Sequence, residues 1–242
     1  MTEVMNKDVP ERTFVESLPD VQLELPKTLH GQLYLLAYDR FRCRVDGDTR
    51  WRFGLALRTA MLTDLYLAGH VEDVDGRPSP VVGARPGDPL LRAALDEVGA
   101  TEQTTWPRAV AHDQRKMPGL VRAQLEAGGW LSVRRRRILG IVPTTRVLLG
   151  SHDMVSALAG QVAAVLRDAI AGRPADERLF TVGLIGALGE LPTVFAFDEA
   201  SRHYSELEEL VYQGIPPITG MRGAIDAVHG AMSANDRGPY ST

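Results

Sequence analysis

The sequence predicts a mainly α fold, a central apolar helix bundle surrounded by amphipathic helices with short β-hairpins. Apolar residues recur at helical spacing through most of the chain, as in Leu29, Leu33, Leu36 and Ala37 or in Met154, Leu158, Val162, Val165 and Leu166. One stretch, Leu179 to Leu188, is nearly apolar all round, the pattern of a helix enclosed by others. Period-two alternation is confined to short runs beside Asp-Gly pairs or glycines, the mark of hairpins.

Composition sets the outer bounds. The chain has 242 residues, 44% hydrophobic and 24% charged, enough to bury a core without covalent staples and too apolar to be disordered over most of its length. Cys43 is the single cysteine, which excludes an internal disulfide or a multi-thiolate zinc site and points to a reducing cytosol. The net charge of −4 provides no general attraction to DNA or lipid, so an anionic partner must meet a local patch. The longest apolar region, Leu179 to Phe197, contains Glu190 and Pro192 and falls short of a membrane span. Residues 1–22 have charges and no apolar signal region, and read as a mobile tail. Residues 23–234 read as a single domain, and 235–242 as a frayed end.

The first helix follows Pro26, a residue suited to a first helical turn, and ends at Tyr38-Asp39. Phe41 to Val45 alternates and meets Asp46-Gly47-Asp48, which predicts a hairpin returning through Trp51 and Phe53. A second helix runs from Leu55 to Ala68, with Gly69 at the left-handed position after it. Next comes a strand from His70 to Val74, an Asp75-Gly76 turn and a return at Val81-Val82. Pro89 to Val98 is a helix and Thr101 to Pro107 a connection. The unit helix, glycine, hairpin then recurs: Val121 to Ala127, Gly129, Leu131 and Val133, with a return through Ile138 to Val142. Leu65, Gly69 and Val71 match Leu125, Gly129 and Leu131 in spacing, consistent with an old duplication. Beyond Pro143 the pattern is helical to the end, with further helices at Glu206 to Tyr212 and Ile225 to Met232.

Catalytic patterns are scarce. The sequence has no Walker loop, no C-x-x-C and no H-E-x-x-H. Gly183, Gly186 and Gly189 recur within an apolar helix, which suits close packing. Ser151 lacks the flanking glycines of a nucleophile elbow and reads as a helix cap. No catalytic residue, metal ligand or cofactor site is predicted. Charge is more informative: Arg108 to Arg146 holds nine Lys or Arg against two acids, a local balance of +7. It includes Arg115, Lys116 and the run Arg134, Arg135, Arg136 and Arg137. A second cluster, Arg40, Arg42, Arg44, Arg50, Arg52 and Arg58, surrounds Trp51 and Phe53. Arginine dominates both, and its planar fork suits phosphate oxygens. A hairpin whose charges merely guard an edge strand is the bland alternative.

Leu33-Tyr34-Leu35-Leu36-Ala37-Tyr38-Asp39, then Gly47, then Leu57 through Val71 resemble the Golgi phosphoprotein 3-like family. Leu125 to Leu131, the basic hairpin and Pro143-Thr144-Thr145-Arg146 resemble that family's later signature, and the likeness covers Leu23 to Met232. The resemblance implies a helical, non-enzymatic adaptor that binds phosphatidylinositol 4-phosphate at a membrane face. It implies a headgroup pocket made by a tryptophan before the second helix, an arginine within it and two arginines on a later helix. Arg58 matches the helix arginine, Arg115 the first of the later pair and Trp51, after a small shift, the tryptophan. The second of the pair falls near Pro118, which leaves Lys116 as the neighbouring cation. The compact, arginine-rich chain resembles a bacterial relative, cytoplasmic and peripheral to the inner face of the membrane.

The leading expectation is therefore an adaptor for anionic phospholipid headgroups through Trp51, Arg58, Arg115 and Lys116, with Arg134, Arg135, Arg136 and Arg137 as a membrane-facing basic hairpin. Protein cargo and self-association stay open as further partners. The rival is a winged-helix nucleic-acid binder, since helix, glycine and basic hairpin also describe a wing. The apolar character of Met61, Leu62, Leu65 and Leu67 argues against a recognition helix, so no nucleic acid is expected.

Overall fold

A computed structural model describes residues 24–39, 44–45, 50–100, 104–138, 142–191, 193–194 and 201–236. The expectations for the tail 1–22, for Phe41 to Cys43, for Asp46-Gly47-Asp48, for Leu139 to Ile141 and for 237–242 lie outside the described residues. The chain runs α1 (Leu29–Leu36), β1 (Tyr38–Asp39), β2 (Arg44–Val45), α2 (Arg50–Leu67), β3 (Val71–Val74), β4 (Arg77–Pro80), α3 (Pro89–Ala100), α4 (Trp106–Ala111) and α5 (Met117–Ala127). It continues with β5 (Leu131–Ile138), β6 (Val142–Leu149), α6 (His152–Ile170), α7 (Glu177–Leu188), α8 (Tyr204–Tyr212) and α9 (Pro216–Asp236). The fold is mainly helical, as predicted, and its strands form antiparallel pairs, β1 with β2, β3 with β4 and β5 with β6.

The element at the centre is α2. Every residue from Phe53 to Leu65 is buried, and α1, α3, α4, α5, α7 and α9 pack around it. The predicted central helix α7 is buried from Thr181 to Gly186, while Leu179 and Leu188 at its ends are half-buried. Its glycines serve contact, as expected: a Cβ on Gly186 would stand 2.8 Å from Val194 and one on Gly189 3.1 Å from Ala56. All eight residues of α1 are buried, so its predicted single apolar face is replaced by enclosure on all sides. Pro26 lies ahead of α1, and its carbonyl accepts a hydrogen bond from Gln32.

The repeated unit is real at the level of hydrogen bonds. After α2, Gly69 takes φ +68°, its N–H donates to the Tyr66 carbonyl and that of His70 to the Leu65 carbonyl. After α5, Gly129 takes φ +79°, with the matching bonds to Glu126 and from Trp130 to Leu125. Both are Schellman closures, which only a residue tolerant of the left-handed region makes without strain.

Four expectations need correction. Trp51 and Phe53 belong to the first turns of α2, because the alternation of Trp51 and Phe53 also fits a helix whose buried face starts there. Asp75 and Gly76 both have positive φ, 52° and 75°, a two-residue type I′ turn that starts the return strand at once. Hence Val71 pairs with Pro80 and Val74 with Arg77, while Val82 is fully exposed. The segment after Pro143 is strand β6, its alternating Val147 and Leu149 buried opposite Val133 and Leu131. Finally, α4 begins inside the predicted connection, where Trp106 is buried and its indole N–H donates to Asp73 at 2.5 Å.

Candidate anion-binding site

Trp51, Gly54 and Arg58 lie three and four positions apart on α2 and therefore share one face. A Cβ on Gly54 would stand 2.2 Å from the carbonyl oxygen of Gln114, so the absence of a side chain lets the segment His112 to Lys116 seat directly on this face. That contact brings the Arg115 region to α2. Both Arg115 and Lys116 are exposed.

Trp51 is half-buried, edge-on to the His229 ring of α9 at 6.1 Å between centroids. The Arg52 guanidinium lies 5.1 Å from the indole centroid, 2.7 Å from Glu190 Oε1 and 3.1 Å from His229 Nε2. Glu190 holds this position with φ +56°, as the left-handed residue that closes α7.

Arg58 is deeply buried, only 2% exposed. Its Nε donates to the Ala109 carbonyl at 3.2 Å, and its Nη2 stands 2.7 Å from Oε2 of Glu97 on α3. Burial draws the guanidinium pKa down, and the Glu97 and Asp113 charges oppose this. A buried cation needs such a partner, because water no longer solvates it. His112 Nε2 lies 4.0 Å from the same Glu97 oxygen. Lys116 Nζ lies 2.8 Å from Asp113 Oδ2 and holds that carboxyl below the usual range, while Asp113 raises the lysine.

Trp51, Arg58 and the Arg115–Lys116 segment share a side of α2, and the Arg58 guanidinium is engaged by Glu97 and by the Ala109 carbonyl. Glu97 escaped the sequence reading because it sits in an ordinary amphipathic helix. Its carboxylate, His112 and Asp113 offer ligand atoms within 4.8 Å of one another, but Arg58 and Lys116 already balance the two carboxylates.

The basic hairpin extends from α5 through β5 and β6. Arg134 lies opposite Arg146, both exposed, and the backbone of Arg135, Arg136 and Arg137 pairs with Thr145, Thr144 and Pro143. The side chains of these three arginines lie outside the described residues. Trp130, at the helix–strand junction, donates from its indole to the Glu24 carbonyl at 2.8 Å.

The family model described as Golgi phosphoprotein 3 (GPP34) matches residues 29–228, most of the chain. The chain belongs to this family. No curated protein matches it. The GPP34 match spans every element from α1 into α9, including the Gly54–Gln114 contact and both glycine-closed hairpin units. No helix among the described residues is long and apolar enough to cross a membrane.

Proposed function

We propose that this GPP34 protein is a non-enzymatic peripheral adaptor that binds anionic, phosphoinositide-type headgroups, phosphatidylinositol 4-phosphate being the headgroup suggested by family resemblance. It would act on the cytoplasmic side of a membrane, at the inner face if the chain is bacterial. The observation that carries this reading is the seating of Gln114 on Gly54, which keeps exposed Arg115 and Lys116 on the same side of α2 as Trp51 and Arg58. A half-buried indole beside arginines suits the interfacial layer of a bilayer, where its ring is partly desolvated and its polar edge stays wet. Arg134 to Arg137 would add long-range attraction, each basic residue near an anionic surface contributing about 1 kcal/mol. Burial of α2 from Phe53 to Leu65 disfavours the nucleic-acid alternative, since the helix ahead of the β3–β4 hairpin has no polar face to read bases.

The test is co-sedimentation with neutral vesicles carrying phosphatidylinositol 4-phosphate, phosphatidylserine or no anionic lipid, with duplex DNA as competitor. Retention on the phosphoinositide vesicles, reduced in Arg115→Ala/Lys116→Ala, is the expected result. Equal retention on neutral and anionic vesicles, or release by low concentrations of DNA, would overturn it.

A further inference from the structure

The chain enters the described residues at the base of the basic hairpin. The Trp130 indole, folded back over Gly128, donates to the Glu24 carbonyl at 2.8 Å, and Leu25 packs against the core. Trp130 extends the β5–β6 ladder by one step, its carbonyl accepting from the Gly150 amide at 2.8 Å. Side chains alternate along a strand, so Trp130, Ser132 and Arg134 share the outer face, while Leu131 is buried on the inner one. Arg146 stands directly opposite Arg134 on that outer face, and both are exposed. Residues 131–149 hold five arginines and no acid, and like charges set opposite one another on a hairpin repel. Near the base, both edges of the hairpin are already met: the Val133 amide donates to Glu126 Oε1 and the Tyr38 hydroxyl to the Val147 carbonyl. A chain leading to Glu24 is therefore directed over the basic face.

We propose that the acidic segment ahead of Glu24, which lies outside the described residues, packs over this face and occupies it until an anionic surface displaces it. Residues 1–24 carry six acids against two bases, Lys7 and Arg12, the complement of the hairpin's charge. Gln22 and Asp20 precede Glu24 by two and four residues, just as Ser132 and Arg134 follow Trp130. At about 3.3 Å per extended residue the two runs are equal in length. Asp20 thus comes level with Arg134 and Arg146, antiparallel to β5. The direct covalent connection holds the segment at an effective concentration of roughly millimolar order, so ion pairs that are individually weak suffice. A surface dense in anionic lipid offers the arginines more charges at once and prevails. The occupancy stands on the hairpin and the segment alone; its consequence, a higher density of anionic lipid needed for attachment, rests on the membrane reading above.

The test combines Gln22→Cys with Ser132→Cys in a Cys43→Ser background and joins the two thiols with a short bis-methanethiosulfonate linker, which a reductant removes. In the full chain this pair should cross-link within one molecule, whereas Gln22→Cys/Gln161→Cys, with an exposed partner on α6, should not. Adding Glu16→Gln/Asp20→Asn should lower the yield roughly twofold, and more at low salt than at high. On phosphatidylcholine vesicles containing phosphatidylserine, the cross-linked chain should need roughly fivefold more lipid for retention than after reduction, which leaves the charges of the two segments unchanged. Equal cross-linking of the control pair, a yield indifferent to Glu16 and Asp20, or equal retention before and after reduction would overturn the proposal. Failure of the headgroup reading looks different: the cross-link forms as expected, but the reduced chain is retained on neither phosphatidylserine nor phosphatidylinositol 4-phosphate vesicles. That result keeps the segment on the hairpin and removes the membrane as its competitor.

Discussion

Gly54 and Gln114 touch through backbone: the carbonyl of one segment occupies the space where the other would have a Cβ, 2.2 Å away. A side chain cannot relieve that contact by rotating, because the obstacle is a main-chain oxygen. Glycine costs an interior helix position up to about 1 kcal/mol relative to alanine, so Gly54→Ala should be favourable on propensity alone. Overpacking against a fixed backbone costs about 1–3 kcal/mol and should win. The expected outcome for Gly54→Ala is a lower melting temperature and weaker binding to phosphoinositide vesicles, as the Arg115 segment is pushed off α2. A variant more stable than wild type would show that the segment yields freely.

Arg115→Ala and Lys116→Ala should separate binding from folding. Both side chains are exposed, and the Lys116–Asp113 pair is of the surface type that contributes little to stability. Each substitution should weaken vesicle binding roughly fivefold at low salt. Melting temperature should hardly change. A loss of binding matched by a loss of fold would remove these residues from the site.

Glu190 offers a backbone test. At φ +56° a side chain costs about 1–2 kcal/mol that glycine avoids. Glu190→Gly and Glu190→Ala both abolish the ion pair with Arg52, so the difference between them isolates the backbone. The glycine variant should be the more stable by about 1 kcal/mol. Equal melting temperatures would mean that the turn closing α7 rearranges.

The pH dependence of stability should centre on His30. It is fully buried, and Gln124, whose amide N–H donates to Asp88 at 2.5 Å, turns its oxygen to His30 Nε2 at 2.9 Å. That oxygen accepts, so Nε2 carries the hydrogen and Nδ1 is the site that would protonate. Burial holds the His30 pKa below its ordinary 6.5, and the unfolded chain therefore binds more protons as pH falls through that value. Stability should decline on acidification below about pH 6.5, by at most about 1.4 kcal/mol per pH unit from this group. Asp64, raised above 3.8 by burial, acts in the opposite sense, its contribution being lost as pH rises through its folded pKa. The advantage of wild type over His30→Gln, followed by denaturant titration, should shrink between pH 7 and pH 5; a constant difference would refute the assignment.

Helix existence was legible wherever apolar residues recurred over several turns, and the glycine closures at Gly69 and Gly129 were legible because a left-handed residue after an apolar run has few other uses. The first turns of α2 were not, since Arg50, Trp51, Arg52 and Phe53 fit period two as well as a helix that buries Phe53 and half-buries Trp51. Strand β6 was missed because Pro143 and two threonines mask an alternation that becomes regular only at Val147 and Leu149. At the candidate site, the arginines were visible as residue types, but their partners were not. Glu97 lies 39 positions from Arg58 and Gln114 lies 60 from Gly54, so both contacts are products of helix packing, which no local pattern records.

The Asp64 carboxylate accepts from the Leu29 amide at 2.6 Å, where Thr28 provides no side-chain cap, and from Arg178 at 2.8 Å, while His30 Nδ1 lies 3.9 Å away. One buried group on α2 thus terminates α1 and anchors the start of α7, elements separated by most of the chain. Fragmentation has no seam to follow here. Removing α7 leaves buried Asp64 without its cation, and removing α1 leaves it without the Leu29 amide, so the amides of α1, α2 and the first turns of α7 should exchange with deuterium in one cooperative opening. Limited proteolysis should then yield whole protein or small peptides, with no stable half between them.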